Sequence, residues 1–111
     1  MKGNTKEVDA VMAQVMKEDA DKRLADVAKE SAFWCNDGRT VKNMRDLQEA
    51  LEQMSDEVYA FHANAEKNDF SIWARDVLMD ERLYLDLSRS ADRSEAAKRV
   101  AARVTVLSSR R

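Results

Sequence analysis

The stretch HANAEKNDFSIWARDV, residues 62–77, decides how the middle of this chain folds. Asn68 and Asp69 carry side-chain acceptors that can end one helix and cap the first turn of the next. Phe70 and Trp73 follow at the spacing that puts two side chains on one face of a helix. Large aromatic side chains on one face contribute strongly to the packing of a small core. We therefore interpret the stretch as a capped junction between two helices, anchored by its aromatic side chains.

His62 is the only histidine of the chain. The helix that carries it is expected to bury one face made of Val58, Phe61, His62 and Ala65. A lone histidine beside apolar neighbours is typical of a hydrogen-bonded residue at the edge of a core. Zinc needs three or four ligands, so His62 with Glu66 one turn later does not make a metal site. A small-molecule site is an alternative interpretation, and its candidate ligand-binding residues are His62, Asn68, Asp69, Trp73 and Trp34.

The composition favours one small helical domain, residues 1–111. Of these 111 residues, 44% are hydrophobic and 36% are charged, with no proline and two glycines. This length is near the commonest domain size, and the scarcity of proline and glycine predicts few tight turns. A single cysteine, Cys35, excludes an internal disulfide and suits a reducing cytoplasm. Because no long apolar run occurs, we expect neither a signal peptide nor a membrane span, and we predict a cytoplasmic location.

Charge is distributed unevenly along the chain. Residues 32–88 carry six basic and twelve acidic side chains, whereas residues 89–111 carry seven basic and two acidic ones. A basic tail can bind nucleic acid by neutralising phosphates, but no aromatic platform or helix-turn-helix pattern accompanies this one. Its arginines can instead face acidic residues such as Asp19, Asp26 or those of the central segment. The candidate nucleic-acid-binding residues are Arg93, Lys98, Arg99, Arg103, Arg110 and Arg111.

Two amphipathic helices are predicted at the ends of the chain. Asn4 can cap the first, with Glu7 at the capping-box position, and apolar residues at spacings of three and four predict a long helix over residues 4–31. The second is predicted within 89–111, behind a serine-rich linker at 88–95. The first helix has to pack on the rest of the chain or on its own copy in a dimer. Its stripe drifts too far for a coiled coil with a strict heptad.

A β-hairpin is predicted between these helices, over residues 32–42. In AFWCNDGRTVKN, the pair Asp37 and Gly38 favours a two-residue type I′ turn between two short strands. That turn places Trp34 opposite Val41 on one side of the hairpin. We expect Trp34 to be the partner of the two aromatic anchors in the junction described above.

Short helices are predicted to fill the rest of the central segment, 32–88. Asn43 and Ser55 can cap the helices on either side of residue 54, and Asp80 can cap a last short helix. The fold class is therefore mainly α, a small helical domain with one short hairpin and flanking N-terminal and C-terminal amphipathic helices.

The order of the central motifs is similar to that of a known family. Residues 33 to about 87 resemble a family of small prokaryotic domains classed as a domain of unknown function. Its members have an aromatic strand, an Asp-Gly turn and a Lys-Asn-Asp-Phe-x-x-Trp motif, and they have Gly-Asp where this chain has Met79-Asp80. The resemblance implies no activity, cofactor or catalytic residue. The matching motifs are Phe33-Trp34, Asp37-Gly38-Arg39-Thr40-Val41, NMRDLQEAL, MSDEVYAFHAN and EKNDFSIWARDVLMDERL.

The patterns favour a binding role over catalysis. Cys35 lies in a predicted strand, Ser55 and Ser71 suit helix starts, and nothing in the sequence places them within reach of His62. Gly38 stands alone, so no glycine-rich phosphate loop is present. We predict a protein that is not an enzyme and has no catalytic residue, metal or cofactor. The leading hypothesis is a protein–protein interaction or regulatory module with a protein partner or a second copy. The alternatives are nucleic-acid association through the C-terminal helix and a small-molecule sensor around His62.

Overall fold

A computed structural model describes residues 4–110, with side chains from Asp9 onward. This part of the chain contains six α-helices, one 3₁₀ turn and one antiparallel hairpin, which confirms the predicted fold class. Among these residues, each helix is too short or too polar to cross a lipid bilayer. In chain order the elements are α1 (Asn4–Leu24), the 3₁₀ turn (Lys29–Ser31), β1 (Phe33–Trp34), β2 (Thr40–Val41), α2 (Met44–Gln53), α3 (Asp56–His62), α4 (Asp69–Asp76), α5 (Glu81–Ser88) and α6 (Arg93–Ser108).

Capping side chains set the starts of the five helices that follow the hairpin. At each start, a side-chain oxygen accepts a hydrogen bond from the backbone N–H three residues later, which satisfies one donor that the helix leaves free. The capping residues are Asn43, Ser55, Asn68, Asp80 and Asp92. The first four were predicted. The predicted cap of α1 depends on the side chains of Asn4 and Glu7, and the structure describes side chains only from Asp9 onward.

The hydrophobic core is centred on α6, which packs along α2 and also contacts α5 and the end of α1. The predicted linker 88–95 contains the connection between α5 and α6, but this connection is only residues 89–92, since the stretch also includes the end of α5 and the first turn of α6. The helix therefore belongs to the same core as the central segment. Its buried face consists of Ala96, Ala97, Val100, Val104 and Leu107.

The hairpin pairs one residue out of the predicted register. Phe33 lies opposite Val41 and Trp34 opposite Thr40. The loop has three residues, since the N–H of Cys35 donates to the carbonyl of Arg39 and the N–H of Gly38 donates to the carbonyl of Cys35, each at 2.9 Å. In this loop only Gly38 has a positive φ, of 95°, so the predicted type I′ turn is wrong. A shift of one residue exchanges the faces of a strand.

The consequence of that register is that different aromatic side chains face the core. Phe33 and Val41 are buried, whereas Trp34 is 64% exposed on the outer face of the hairpin. Trp34 is therefore not the partner of the junction aromatics, as the sequence had suggested. Phe33 takes that place.

The long N-terminal helix is shorter than predicted. α1 ends at Leu24, and the backbone N–H of Val27 donates to the carbonyl of Lys42 at 2.8 Å. This bond holds the chain after α1 against the hairpin and prevents one helix from continuing to residue 31. Ala20 and Leu24 are buried, but every side chain from Asp9 to Glu18 is exposed. The first turns of α1 therefore extend away from the core.

Candidate functional site

The junction between α3 and α4 brings several of the predicted site residues together. α3 ends at His62, and α4 begins at Asp69 behind its cap, Asn68. The side-chain oxygen of Asn64 accepts hydrogen bonds from the N–H groups of Glu66 and Lys67, at 2.9 and 3.3 Å, which turns the chain between the helices. The predicted inner face of α3 is therefore wrong in part. Its last member, residue 65, lies in the exposed turn, and Phe61 is exposed as well.

His62 is buried and uses both ring nitrogens inside the protein. Its Nε2 lies 2.9 Å from the backbone nitrogen of Asn36, and its Nδ1 lies 3.0 Å from Oδ2 of Asp69. A backbone N–H can only donate, so Nε2 is the unprotonated acceptor and Nδ1–H donates to the carboxylate. The ring also packs edge-on against Phe33, with a centroid separation of 5.1 Å. His62 thus ties the hairpin loop to the start of α4.

The same geometry limits what His62 can do chemically. A neutral imidazole whose acceptor nitrogen already binds Asn36 has no lone pair left for a metal or for a proton from substrate. Glu66 is exposed in the turn, and the polar partners of His62 are Asn36 and Asp69 instead. Within residues 9–110, no group of three or more His, Cys, Asp or Glu side chains is arranged to hold a metal ion.

The aromatic anchors of α4 pack on the hairpin through Phe33. Its ring stacks on Phe70 at 5.1 Å and meets Trp73 edge-on at 6.0 Å. The indole N–H of Trp73 donates to the backbone carbonyl of Ser31 at 2.8 Å. Such pairs contribute about 0.5–1.5 kcal/mol beyond the burial of their area. These contacts account for both aromatic residues of the motif as packing residues.

Asn68 joins α4 to α5 at this junction. Its side-chain oxygen accepts from the N–H of Ser71 at 3.0 Å, and its amide group donates to the carbonyl of Leu87 at 3.1 Å. Of the five candidate ligand-binding residues, four therefore gather at the junction with their polar atoms engaged inside the fold. Trp34, the fifth, lies on the opposite face of the hairpin.

Cys35 is a poor candidate for a nucleophile. Its side chain is buried, and burial, followed by the nearby charge of Asp37, raises the pKa of the thiol to about 11 despite the opposing effect of Arg39. The thiolate is the reactive form, so a raised pKa suppresses reaction near neutral pH. Ser55 caps α3, and the hydroxyl of Ser71 donates to the carbonyl of Asn68 at 2.9 Å.

The basic C-terminal helix uses three of its arginines to hold the core together. Arg93 binds the carboxylate of Asp56 and the carbonyl of Leu51, both at 2.8 Å. Arg99 donates to the carbonyl of Asp86 at 2.9 Å. Arg103 binds the buried carboxylate of Asp80 at 2.9 Å.

The remaining basic candidates have different surroundings. Lys98 is exposed, and Arg110 is partly buried. Neither side chain makes a hydrogen bond or an ion pair with the residues that the structure describes. Arg111 lies outside the described part of the chain. The six candidates therefore do not form one free basic surface.

The buried carboxylate of Asp80 connects α1, α5 and α6, a role that the sequence did not reveal. Asp80 is fully buried, and its Oδ1 caps α5 by accepting from the N–H of Leu83 at 2.9 Å. Its Oδ2 lies 2.9 Å from Nε of Arg103 and 3.4 Å from a terminal nitrogen of Arg23. The cap was readable from the sequence, but partners so distant along the chain were not.

Arg23 extends this cluster towards the surface of α1. Its Nε also binds Asp19 at 3.0 Å. Burial lowers the pKa of Arg23, but the hydrogen bonds and charges of Asp19 and Asp80 outweigh that effect and raise it overall. The last turn of α1 is thus held at one fixed point on the core.

An uncovered apolar stripe lies on the rest of α1. Val11 is 60% exposed, Met12 53%, Val15 52% and Met16 41%. The four side chains occupy two adjacent turns, and the buried pair Ala20 and Leu24 continues the same stripe into the core. We call these four residues the α1 stripe.

Comparisons with known proteins give no relative from which a residue's role could be transferred. No protein-family model matches the chain, and neither a curated protein nor a solved structure matches it. The roles assigned to the residues above therefore depend on their geometry alone.

Proposed function

We propose that this protein is a non-enzymatic interaction module that binds an amphipathic helix of a partner along the α1 stripe. The observation that carries this proposal is the contrast within one helix. Ala20 and Leu24 are buried in the core, whereas the preceding two turns expose all four of their large apolar side chains. Single exposed apolar residues are common, but a contiguous group marks a contact surface.

The chemistry of the stripe suits a helical partner. Side chains at positions i, i+1, i+4 and i+5 make a narrow ridge that fits between the ridges of a second helix. Met12 and Met16 have flexible, polarisable side chains that adapt to different partner surfaces. Each methylene group that such a partner removes from water contributes about 0.8 kcal/mol.

The anchoring of α1 supports the same function. Because Asp80 fixes Arg23 at the last turn of the helix, the stripe is presented at a defined angle to the core. A surface that is ordered before binding loses less conformational entropy when a partner arrives.

The state of the reactive side chains supports a role without catalysis. Both ring nitrogens of His62 are engaged with Asn36 and Asp69. Burial raises the pKa of Cys35 to about 11. Neither side chain is prepared to act as a base or a nucleophile at neutral pH.

Nucleic-acid association through α6 has less support. Arg93, Arg99 and Arg103 already bind acidic side chains or carbonyl groups of the core, and their release would expose or orphan those partners. If the basic residues did bind phosphates, affinity would fall steeply as the salt concentration rises. The test below separates this alternative from the first.

We also propose that residues 33–87 belong to the small prokaryotic family that their motifs resemble, and that the protein works in the cytoplasm. Position 79, where the family pattern has glycine, adopts a φ of 58° here, a conformation that suits glycine.

The proposed location in the cytoplasm is supported by the lone thiol of Cys35, which is buried and unpaired and suits a reducing compartment.

Affinity capture from a native lysate tests the interaction, with and without nuclease. The tested variant carries Met12→Gln and Met16→Gln, which keep unbranched side chains of good helix propensity while removing the apolar surface. The control carries Ile72→Gln and Leu85→Gln, at exposed apolar positions of α4 and α5. We expect the native chain and the control to recover the same protein regardless of nuclease, and the stripe variant to lose it.

Two results would contradict this proposal. One is equal recovery by the stripe variant and the control. The other is recovery that disappears with nuclease, which favours the nucleic-acid alternative. Sedimentation velocity of the purified chain shows whether the partner is a second copy, because a dimer through the stripe dissociates in the stripe variant alone.

A further inference from the structure

A groove on the outer face of the hairpin has the exposed ring of Trp34 as one wall. The ring is 64% exposed, although tryptophan is among the side chains that gain most from burial. The groove encloses about 390 Å³, and Val27, Ala32 and Thr40 supply mainly apolar walls beside the ring. This volume lies within the range of small-molecule sites, about 300–1,000 Å³.

Two lysines line this groove without counter-charges of their own. Lys29 and Lys42 are exposed, and neither ammonium group makes a hydrogen bond or an ion pair with the residues that the structure describes. The one carboxylate in the lining, that of Asp26, accepts a hydrogen bond from the amide of Asn43 at 2.7 Å. Unpaired lysines beside an apolar wall favour a ligand that is negatively charged at one end.

We propose that the Trp34 groove binds a planar aromatic anion. The ring of the ligand stacks on the indole face of Trp34, which is uncovered in this structure. Lys29 and Lys42 line the groove, and their ammonium groups pair with the anionic substituent. A nucleotide phosphate and an aromatic carboxylate both have this chemistry.

The surroundings favour a single small anion over a nucleic-acid strand. A strand needs a series of aromatic side chains and a continuous basic track. The groove offers one tryptophan, and residues 32–88 as a whole carry twelve acidic against six basic side chains. This site goes beyond the interaction proposed for α1, and it does not depend on the α1 stripe.

A ¹H–¹⁵N NMR titration of the full chain tests the inference. The probes are adenosine 5′-monophosphate and indole-3-acetate, with adenosine as the uncharged control, each at millimolar concentration. We expect at least one anion to shift the indole signal of Trp34 and the amide signals of Val27, Ala32 and Thr40, and adenosine to bind more weakly. Trp34→Phe assigns the two indole signals of the chain.

Variants define the parts played by the ring and by the lysines. Trp34→Ala removes an exposed side chain and is expected to weaken binding by roughly tenfold or more, the scale of one aromatic stack. Lys29→Gln with Lys42→Gln weakens it less and removes its salt dependence. Lys22→Gln with Lys98→Gln makes the same change in net charge elsewhere and leaves the affinity unchanged.

Three results would overturn the inference. One is the absence of shifts with both anions. A second is a set of shifts outside the groove, or equal affinities in the groove variants and the charge control. The third is binding of a dT oligonucleotide when neither monomer binds, which assigns the groove to single-stranded nucleic acid.

Discussion

α1 and α6 both carry an apolar stripe beside charged residues, yet they relate to the core in opposite ways. α6 buries Ala96, Val100, Val104 and Leu107 along its whole length. α1 buries its stripe only from Ala20 onward. This difference shows that an apolar stripe alone does not determine whether a helix packs against the core along its whole length.

Polar anchors explain the difference between the two helices. α6 is held at three successive levels, by Arg93 on the end of α2, by Arg99 on the carbonyl of Asp86 and by Arg103 on Asp80. The anchor of α1 on Asp80 is Arg23, in its last turn, whereas no side chain from Asp9 to Glu18 makes a hydrogen bond or ion pair with the described residues of the core. Hydrogen bonds to charged groups contribute about 1.5–3 kcal/mol each, so the number of anchors matters.

The largest expected difference is between a chain truncated at its C-terminal end and one truncated at its N-terminal end. A chain that lacks residues 92–111 loses the helix at the centre of the core, and we expect it to show neither a cooperative thermal transition nor a dispersed NMR spectrum. A chain that lacks residues 1–16 keeps every residue that is buried in the described part of the structure, and it should unfold close to the native temperature. Circular dichroism measures both. A folded chain of residues 1–91 would show that the central segment is a module independent of α6.

Asp80→Ala tests the shared anchor. The substitution leaves Arg103 without its carboxylate and removes the cap of α5, so we expect it to lower the free energy of unfolding by about 3–5 kcal/mol. Asp76→Ala is the control, because it removes a carboxylate that pairs with Arg75 at the surface and should change nothing measurable. Urea denaturation measures both variants. Equal losses would mean that Asp80 is not an anchor.

A matched pair of valines compares the two stripes directly. Val100→Ala creates a cavity beneath α6 and should lower the free energy of unfolding by about 2 kcal/mol. Val15→Ala removes an exposed β-branched side chain from α1, and we expect a gain of a few tenths of a kcal/mol (~0.3) from helix propensity. Urea denaturation of the two variants gives the values. A comparable loss at Val15 would show that the stripe is already covered in solution.

Met79→Gly concerns the turn that delivers Asp80 to the core. Met79 is 70% exposed with a φ of 58°, so glycine should raise the free energy of unfolding by about 0.5–1 kcal/mol by relieving the backbone. Gly38→Ala is the converse control. A Cβ at Gly38 would meet nothing within 4 Å, so its loss of about 1 kcal/mol comes from the φ of 95° alone. Thermal denaturation shows whether stability rises in Met79→Gly and falls in Gly38→Ala. A loss in Met79→Gly would mean that the methionine side chain stabilises the turn.

Local signals in the sequence were sufficient for four of the five helix caps that follow the hairpin. Asn43, Ser55 and Asp80 each precede an apolar period, and each caps a helix in the structure. The hairpin was located correctly, but its register was not, because Asp-Gly fits both a two-residue turn and the last two positions of a three-residue loop. The choice depends on Phe33 packing against α4, which is a long-range contact.

The candidate site was predicted less well than the fold. The stretch at residues 62–77 was rightly interpreted as a helix junction with aromatic anchors. Two sets of contacts could not be predicted, because they join residues that are far apart in the chain and follow no local pattern. His62 binds the backbone of Asn36, and Asp80 binds two arginines. The exposure of the α1 stripe was equally unreadable, since an apolar stripe looks the same whether or not a neighbour covers it.

The joint at Asp80 has a mechanical consequence for anything that binds α1. A partner seated around Met12 acts about 16 Å from Arg23, at a rise of about 1.5 Å per residue, and a helix is stiff over that length. Sideways force on the stripe therefore reaches the joint as a torque. Because Asp80 bonds both Arg23 and Arg103, that torque is passed to α6. Movement of the exposed end of α1 is therefore coupled to α6 through Asp80.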